Sequence, residues 1–255
     1  MRILPIPAFR DNYIWALWAD ERLAVVDPGE AAPVTAFMES EGLTLAAVLI
    51  THRHNDHVGG VAELLARQPG IPVFGPANET IPGRTHALAD GDAVDLGPLG
   101  RYRVMDLPGH TEGHIAYVGE GTLFCGDTLF AAGCGRLLGG TAPQLHASLG
   151  RLASLPGETR VYCAHEYTLS NLRFARAVEP DNAALITRQR TCTALREQGV
   201  PTVPSTIEEE LATNPFLRCT QPAVRASAEQ EAKSALKDDL AVFAALRAWK
   251  DTFQG

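Results

Sequence analysis

Four side chains that commonly bind metal ions lie close together in the first quarter of the chain. The segment reads Thr51-His52-Arg53-His54-Asn55-Asp56-His57 and directly follows an apolar run that ends at Ile50. Imidazole and carboxylate ligands together suit zinc, iron or manganese, and a strand end that opens into a loop allows them to converge. A lone histidine is more often structural, but packing gives no reason for three histidines and an aspartate here. The segment therefore predicts a metal site.

Three further candidate ligands also follow β-like runs. His110 comes after the predicted strand that ends at Met105, Asp127 follows the run Leu123-Phe124-Cys125-Gly126, and His165 follows Val161-Tyr162-Cys163. Gathering ligands from successive strand ends places an open metal site on rigid elements of an α/β scaffold. A purely structural zinc module is disfavoured, because structural zinc sites are typically closed and rich in cysteine.

The elements that must position these ligands change character along the chain. β-prone runs between Gly, Pro and Asp predict strands at 13–18, 23–26, 45–50, 73–74, 94, 102–105, 114–118, 122–124 and 161–163, with the first two paired as a hairpin. Apolar residues at helical spacing predict helices at 33–42, 61–67, 143–155, 169–178, 182–198, 207–212 and 229–249. The mixture predicts the α/β class, followed by a helical last third.

Composition excludes several classes of protein. The 255 residues carry a net charge of -8, the wrong sign for holding nucleic acid through the whole surface. No stretch of 18 apolar residues occurs, so we expect no membrane-spanning helix, and the N-terminus lacks the unbroken apolar core of a secretory signal. Five widely spaced cysteines suit reduced thiols in the cytoplasm better than a disulfide framework. We expect a cytoplasmic monomer without nucleic-acid or membrane partners.

The metal-ligand pattern resembles a known superfamily. His-x-His-x-Asp-His, followed by His110, Asp127 and His165, is similar to the metallo-β-lactamase superfamily, which implies a four-layer αββα sandwich. Further segments resemble glyoxalase II, the hydroxyacylglutathione hydrolase family; they are 11–13, 133–136, 140–142, 165–172 and 214–218. The resemblance covers nearly the whole chain and implies a catalytic domain over 1–166 and a helical substrate-binding domain over 167–255.

The resemblance also implies how the ligands are shared between two divalent ions. One ion is held by His52, His54 and His110, the other by Asp56, His57 and His165, and Asp127 bridges them. Asp56 and Asp127 are the implied catalytic carboxylates. Zinc is the favoured metal, with iron or manganese as alternatives. A bound ion lowers the pKa of water from about 15.7 to roughly 7, so the implied reaction is attack of a metal-bridging hydroxide on the thioester of S-(2-hydroxyacyl)glutathione, such as S-D-lactoylglutathione.

Four residues are implied to bind the glutathione part of that substrate. Arg247 and Lys250 are three residues apart and share a helix face; sequence alone favours a solvated face, but the family uses such a pair for the glycine carboxylate. Tyr167 matches a family tyrosine that contacts the tripeptide, and Arg136 stands where some members carry lysine. Residues 138–139 are Leu and Gly, where an aromatic residue and Glu are familiar, so one substrate contact is expected to be missing.

Alternatives remain open at this point. A glutathione persulfide dioxygenase with a single iron shares the ligand motif, and the helical tail is the feature that favours the hydrolase. Asp27 could orient a ligand histidine, although a turn carboxylate is the favoured interpretation. His114 could support a ligand, and His86 and His146 have no assigned role. The cysteines near the motifs are expected to be buried and inert.

Overall fold

The structure is a computed structural model that describes residues 1–254. Its backbone contacts divide the chain into two compact units. The first unit contains residues 1–107, 111–126 and 162–165, and the second contains 108–110, 127–161 and the chain from 166 onward.

A six-stranded mixed sheet forms one half of the first unit. In spatial order its strands are β1 (Arg2–Ala8), β2 (Asn12–Ala19), β3 (Arg22–Val26), β4 (Thr44–Leu49), β5 (Val73–Pro76) and β6 (His86–Leu88). β1, β2 and β3 are antiparallel, and β3 to β6 are parallel. The loops after β3, β4 and β5 therefore emerge at one edge of the sheet, where α/β proteins build their sites. These loops contain Asp27, the segment 51–54 and Glu79.

Helices cover one face of this sheet. They are α1 (Ala31–Glu41), the one-turn α2 (Asn55–Val58) and α3 (Val61–Arg67). Val34 of α1 and Val61 and Leu64 of α3 share one buried apolar cluster with strand residues such as Val25 and Val48. Each such side chain contributes about 1.5–3 kcal/mol on burial, so this cluster fixes the strand ends that carry the candidate ligands.

A second sheet completes the first unit. It contains β7 (Ala93–Asp95), β8 (Arg101–Asp106), β9 (Ile115–Gly119), β10 (Thr122–Gly126) and residues 162–163 of β13 (Arg160–Cys163). The pairs β7–β8, β8–β9 and β9–β10 are antiparallel. Trp15 of β2 packs edge-on against Tyr162 with ring centroids 4.8 Å apart, and its Nε1 donates to the Cys163 carbonyl at 2.9 Å. The two sheets of this unit therefore face each other as a sandwich.

The second unit is mainly helical. Its helices are α4 (Ala142–Ala153), α5 (Thr168–Val178), α6 (Ala183–Glu197), α7 (Ile207–Thr213), α8 (Pro222–Ala232) and α9 (Asp239–Thr252). It also holds the hairpin β11 (Leu129–Phe130) and β12 (Gly133–Cys134), and the short β14 (Ser205–Thr206), which pairs with the start of β13. Phe174 packs against Phe216, Trp249 and Phe253 with ring centroids 5.2–5.9 Å apart. Aromatic packing therefore joins α5 to α9.

Most predicted elements are confirmed, but one helix is wrong. The predicted helix 229–249 is two helices, α8 and α9, separated where Lys233 adopts a left-handed conformation with φ of 53°. Asp238 then starts α9, because its side chain accepts a hydrogen bond from the Ala241 amide at 2.8 Å. Across residues 1–254, no helix combines the length and the apolar character that crossing a membrane requires.

Candidate metal centre and substrate surface

Two buried histidines of the first unit turn the same ring nitrogen toward one carboxylate. His57 Nε2 and His165 Nε2 lie 3.6 Å and 3.5 Å from Asp56 Oδ2. On the opposite side of each ring, His57 Nδ1 lies 3.0 Å from Asp27 Oδ2, and His165 Nδ1 lies 3.0 Å from Asp11 Oδ1. A carboxylate at Nδ1 holds the proton on that nitrogen and makes Nε2 the ligand atom, as in metal-bound histidines.

Local backbone structure explains how Asp56 and His57 reach this place. Both lie on α2, whose single turn is closed by a hydrogen bond from the His57 amide to the His54 carbonyl at 2.9 Å. The loop after β3 passes close to α2 at Gly29, where an added Cβ atom would lie 2.0 Å from the Asp56 carbonyl oxygen. Glycine at this position therefore allows the two loops to come together.

The other two histidines of the motif face each other. His52 Nε2 lies 3.1 Å from His54 Nδ1, and His52 Nδ1 lies 3.1 Å from the Thr51 hydroxyl. Asp27 accepts hydrogen bonds from the Thr51 amide at 2.8 Å and from its hydroxyl at 2.7 Å. His114 is fully buried and stacks on the His52 ring at 4.7 Å. Asp27, which the sequence favoured as a turn carboxylate, is instead a buried anchor of this loop.

The remaining two candidate ligands lie together in the second unit. His110 Nε2 is 3.5 Å from Asp127 Oδ2, and His110 Nδ1 is 2.8 Å from the Arg136 carbonyl oxygen. A Cβ atom at Gly135 would lie 2.0 Å from the Asp127 carbonyl oxygen and 3.1 Å from His110 Nδ1. The missing side chain thus makes room for both ligands, and the Arg136 carbonyl sets the ring orientation of His110.

These separations fit the coordination of a divalent metal ion. Two donors bound about 2.0–2.1 Å from one tetrahedral zinc ion stand about 3.3–3.4 Å apart, and the pairs described above are 3.1–3.6 Å apart. The ligand atoms of Asp56, His57 and His165 all lie within 4.8 Å of one another. This donor set of imidazole nitrogens and carboxylate oxygens suits a divalent metal ion.

The hairpin that follows Asp127 is held by buried polar side chains of the helical region. Asn214 Nδ2 donates to the carbonyls of Phe130 and Gly133 at 3.2 and 2.9 Å. Glu210, whose side chain is fully buried, accepts from the Ala132 amide at 2.8 Å. Asn214 belongs to the Asn-Pro-Phe-Leu-Arg segment that carried the family resemblance, and the structure gives it a concrete role in fixing this hairpin.

Arg247 of α9 is buried against the end of the same hairpin. Its Nη1 donates to the carbonyls of Cys134 and Gly135 at 2.9 and 3.4 Å, and its Nη2 donates to Asp251 at 3.0 Å. Its Nε is buried and has no hydrogen-bond partner among residues 1–254. A buried donor of this kind costs about 1–3 kcal/mol unless an acceptor reaches it.

Lys250, one helical turn further along, is partly buried in a positively charged environment. Its Nζ donates to the Ser170 carbonyl at 3.2 Å and lies 5.4 Å from the centre of the Phe174 ring. Burial first, and then nearby guanidinium groups, lower the pKa of Lys250 from 10.5 to about 8. The neighbouring groups that act on this pKa are Arg247, Arg173, Arg136 and, in the opposite sense, Cys134. Such a surface suits an anion.

The other predicted substrate residues lie on the surface of the second unit. Tyr167 is 37% exposed and packs edge-on against Phe130 at 5.3 Å. The Arg136 guanidinium is exposed and lies 3.6 Å from Asp251. At Leu138 this chain departs from the family pattern. The Leu138 side chain is half exposed, and its amide donates to the His110 carbonyl at 2.8 Å.

Three carboxylates support the candidate ligands, and the sequence favoured this role for none of them. Asp11 and Asp27 contact His165 and His57, and Glu79 contacts the backbone between His52 and His54. Asp11 was visible only as part of the Asp-Asn-Tyr resemblance, Asp27 was considered as a residue that could orient a ligand histidine but was favoured as a turn carboxylate, and Glu79 carried no signal at all.

Two family models together match residues 8–253 of the chain. The metallo-beta-lactamase superfamily model matches residues 8–165, and the model described as hydroxyacylglutathione hydrolase C-terminus matches residues 166–253. The hydroxyacylglutathione hydrolase of Cupriavidus taiwanensis is 57% identical, with 100% of both chains covered.

Two solved structures add information on the fold. ETHE1 from Myxococcus xanthus has a TM-score of 0.65 at 23% identity, covering 98% of each chain, and shows a likeness of fold alone. TTHA1623, solved in a di-iron-bound form, has a TM-score of 0.54 at 31% identity, covering 65% of this chain and 92% of its own. The fold is thus the metallo-β-lactamase fold with a C-terminal helical region, as expected.

Proposed function

This chain belongs to the hydroxyacylglutathione hydrolase family of the metallo-β-lactamase superfamily, and we propose that it hydrolyses S-(2-hydroxyacyl)glutathione, such as S-D-lactoylglutathione, to glutathione and a 2-hydroxy acid. The observation that carries this proposal is the full-length identity of 57% with a curated enzyme of that name. The match of residues 166–253 to the family's own C-terminal model favours the hydrolase over the persulfide dioxygenase.

We propose two divalent ions, with zinc favoured and iron or manganese as alternatives. The first would be held by His52, His54 and His110, the second by Asp56, His57 and His165, with Asp127 shared between them. The donor separations of 3.1–3.6 Å support this assignment, as does the di-iron form of the relative that is 31% identical.

The residues of this chain would prepare the site for the reaction. Bound divalent ions supply a polarising positive charge and a water of lowered pKa. Asp27 and Asp11 hold Nδ1 of His57 and His165, and the Arg136 carbonyl holds Nδ1 of His110. Fixed rings keep the Nε2 atoms of His57 and His165 aimed at Asp56 and that of His110 aimed at Asp127, and such preorganisation is what a site must supply for electrostatic catalysis.

The substrate surface is proposed on α9 and the residues beside it. Lys250 offers a charge to a carboxylate of the glutathione moiety, and the buried Nε of Arg247 offers a donor without a partner. Arg136 and Tyr167 are exposed enough to contact the rest of the tripeptide. On this basis we propose that 1–166 supply the metal chemistry and that 167–255, joined by Arg136, bind the glutathione part.

The proposed location is the cytoplasm. Its support is the five buried cysteine thiols, an odd number that suits a reducing compartment. The monomeric state stays a prediction, to be checked by sedimentation or light scattering of the purified protein.

Metal analysis combined with a thiol-release assay tests the proposed function. The purified protein should release free thiol from S-D-lactoylglutathione and should contain close to two divalent ions per chain. Oxygen uptake on glutathione persulfide, measured on the same sample, reports the dioxygenase. Oxygen uptake without thiol release, or neither activity in metal-loaded protein, would overturn the proposal.

Replacing Lys250 by methionine should weaken substrate binding without disturbing the chemical step. A charge-assisted hydrogen bond is worth about 1.5–3 kcal/mol, so KM should rise about ten- to a hundredfold with kcat nearly unchanged. Arg247→Met should raise KM as well and should also lower stability, because Arg247 holds the Cys134 and Gly135 carbonyls. Steady-state kinetics and thermal unfolding separate the two variants. An unchanged KM in Lys250→Met would show that this lysine does not bind substrate and is an ordinary residue of the helix surface.

The pKa of Lys250 predicts how KM depends on pH. The ammonium form predominates below about pH 8, and only that form attracts a carboxylate, so KM should be lowest below pH 8 and should rise above it. Lys250→Arg is the matched control, because a guanidinium stays charged throughout this range. The wild type and Lys250→Arg should therefore diverge as the pH rises through about 8. Parallel KM profiles in the two proteins would show that Lys250 does not titrate in contact with substrate.

A further inference from the structure

Glu79 is a buried carboxylate at the edge of the sheet that carries the metal-binding loop. It lies in the loop after β5. Strand β5 is adjacent to β4 in the sheet and runs parallel to it. Because both strands end at the same edge, this loop emerges beside the segment 51–54. The Glu79 side chain has 0% exposure, so its two oxygens must find donors within the protein.

Both oxygens find backbone amides, one on each of two separate loops. Oε2 accepts from the Arg53 amide at 2.5 Å, and Oε1 accepts from the Gly113 amide at 3.2 Å. Arg53 lies between His52 and His54 in the chain, and Gly113 directly precedes His114, whose ring stacks on His52. One carboxylate thus ties the loop that carries His52 to the loop whose His114 stacks on the His52 ring.

The surroundings of Glu79 are built to hold it in this position. Arg84 Nη1 donates to the Glu79 carbonyl at 2.7 Å, which fixes the backbone. A Cβ atom at position 113 would lie 2.5 Å from Glu79 Cγ, so glycine there allows the close approach. The Arg53 guanidinium lies 3.6 Å from Oε1 but is 44% exposed, and exposed ion pairs contribute little. The two amide hydrogen bonds therefore carry the interaction.

We propose that Glu79 is a positioning residue, which clamps the 51–54 loop to the 111–114 loop and so presets His52 and His54 for metal binding. The inference rests on the proposed metal centre and adds a residue that touches neither metal nor substrate. A loop fixed before binding loses less conformational entropy when the ion arrives. The clamp therefore raises metal affinity.

Glu79→Gln tests the clamp with almost no change in shape. A glutamine can accept one of the two amide hydrogen bonds but must turn an NH2 group toward the other amide. Metal affinity, measured by competition with a chelator, should fall about ten- to a hundredfold, the usual cost of losing such a supporting contact. KM for the thioester should stay unchanged, because the proposed substrate surface lies elsewhere, and kcat should recover at saturating metal.

A second readout distinguishes positioning from simple structural support. The gain in unfolding free energy on adding metal should shrink in Glu79→Gln by about 1.4 kcal/mol per tenfold loss of affinity. A merely structural role would instead lower the stability of apoprotein and metal-loaded protein equally. Glu112→Gln is the matched control, since it makes the same charge change on an exposed side chain next to Gly113. Arg53→Met removes the exposed ion pair and keeps the amide, so it should also bind metal normally.

The results divide clearly. If wild type and Glu79→Gln bind metal equally, or if Glu112→Gln loses as much affinity as Glu79→Gln, the clamp is refuted. If the wild type itself binds no metal in this assay, the proposed metal centre has failed rather than the clamp alone. Should Glu79→Gln not fold, Gly113→Ala displaces the same carboxylate with a methyl group and is measured in the same way; normal metal affinity in that variant would then refute the clamp.

Discussion

Replacing Asp127 by alanine should lower kcat by more than about a hundredfold while the protein stays folded. Asp127 is nearly buried and faces His110 Nε2 at 3.5 Å, and it is the one carboxylate proposed to be shared by two ions. Removing a single preorganised group that stabilises charge typically costs about a hundred- to a thousandfold in kcat, and loss of a shared ligand should cost at least as much. Steady-state kinetics with metal analysis of the same sample measures the effect.

The fold should survive because Asp127 lies outside the apolar clusters that hold each unit together. Asp127→Asn keeps the volume and one acceptor oxygen but removes the charge, so it separates shape from charge. Asp181→Ala, an exposed aspartate in the turn before α6, is the control for loss of a carboxylate. Near-normal turnover in Asp127→Ala, or full wild-type activity with one ion per chain, would contradict a two-metal site.

Local signals were sufficient to place the candidate ligands at strand ends. The apolar run 45–50 predicted a strand, and the structure has β4 at Thr44–Leu49 with the histidine motif just beyond it. The predicted strands 122–124 and 161–163 likewise correspond to β10, which ends just before Asp127, and to β13, which ends shortly before His165. Strand ends are readable from sequence because burial on both faces requires a continuous apolar run.

The supporting contacts could not be read in this way, because they join residues far apart in the chain. Asp11 meets His165 across 154 positions and Glu79 meets Arg53 across 26. Nothing in the local sequence of an aspartate or glutamate states which distant histidine or amide it will face. Arg247 shows the same limit: spacing placed it on a face with Lys250, but its burial depends on the hairpin that folds over it.

β1 is a strand that was not predicted from the sequence. Arg2–Ala8 pairs along its whole length with β2, although positions 5 and 7 are prolines, which lack the backbone N–H that a sheet uses. β1 is the edge strand of its sheet, and residues two apart point their backbone N–H positions to the same side. Both prolines can therefore direct their missing donors away from the ladder, which is where edge strands tolerate proline.

Complete removal of metal should abolish activity and leave the fold intact. The proposed ligands gather at strand ends, whereas the buried cores consist of apolar clusters such as Val25, Val48 and Val61 in the first unit and Leu172 and Leu185 in the second. A structural zinc module would unfold on chelation, but these cores do not depend on an ion.

The expected result is thus loss of thiol release after exhaustive chelation, with an unchanged far-ultraviolet circular dichroism spectrum. Adding zinc should restore activity, and the recovery should be complete only near two ions per chain; iron and manganese, added separately, show which metals the site accepts. Glu79→Gln should need a higher free metal concentration for the same recovery, whereas Lys250→Met should recover at the wild-type concentration. Undiminished activity after verified metal loss would refute the metal-dependent reaction, and unfolding on chelation would assign the ions a structural role instead.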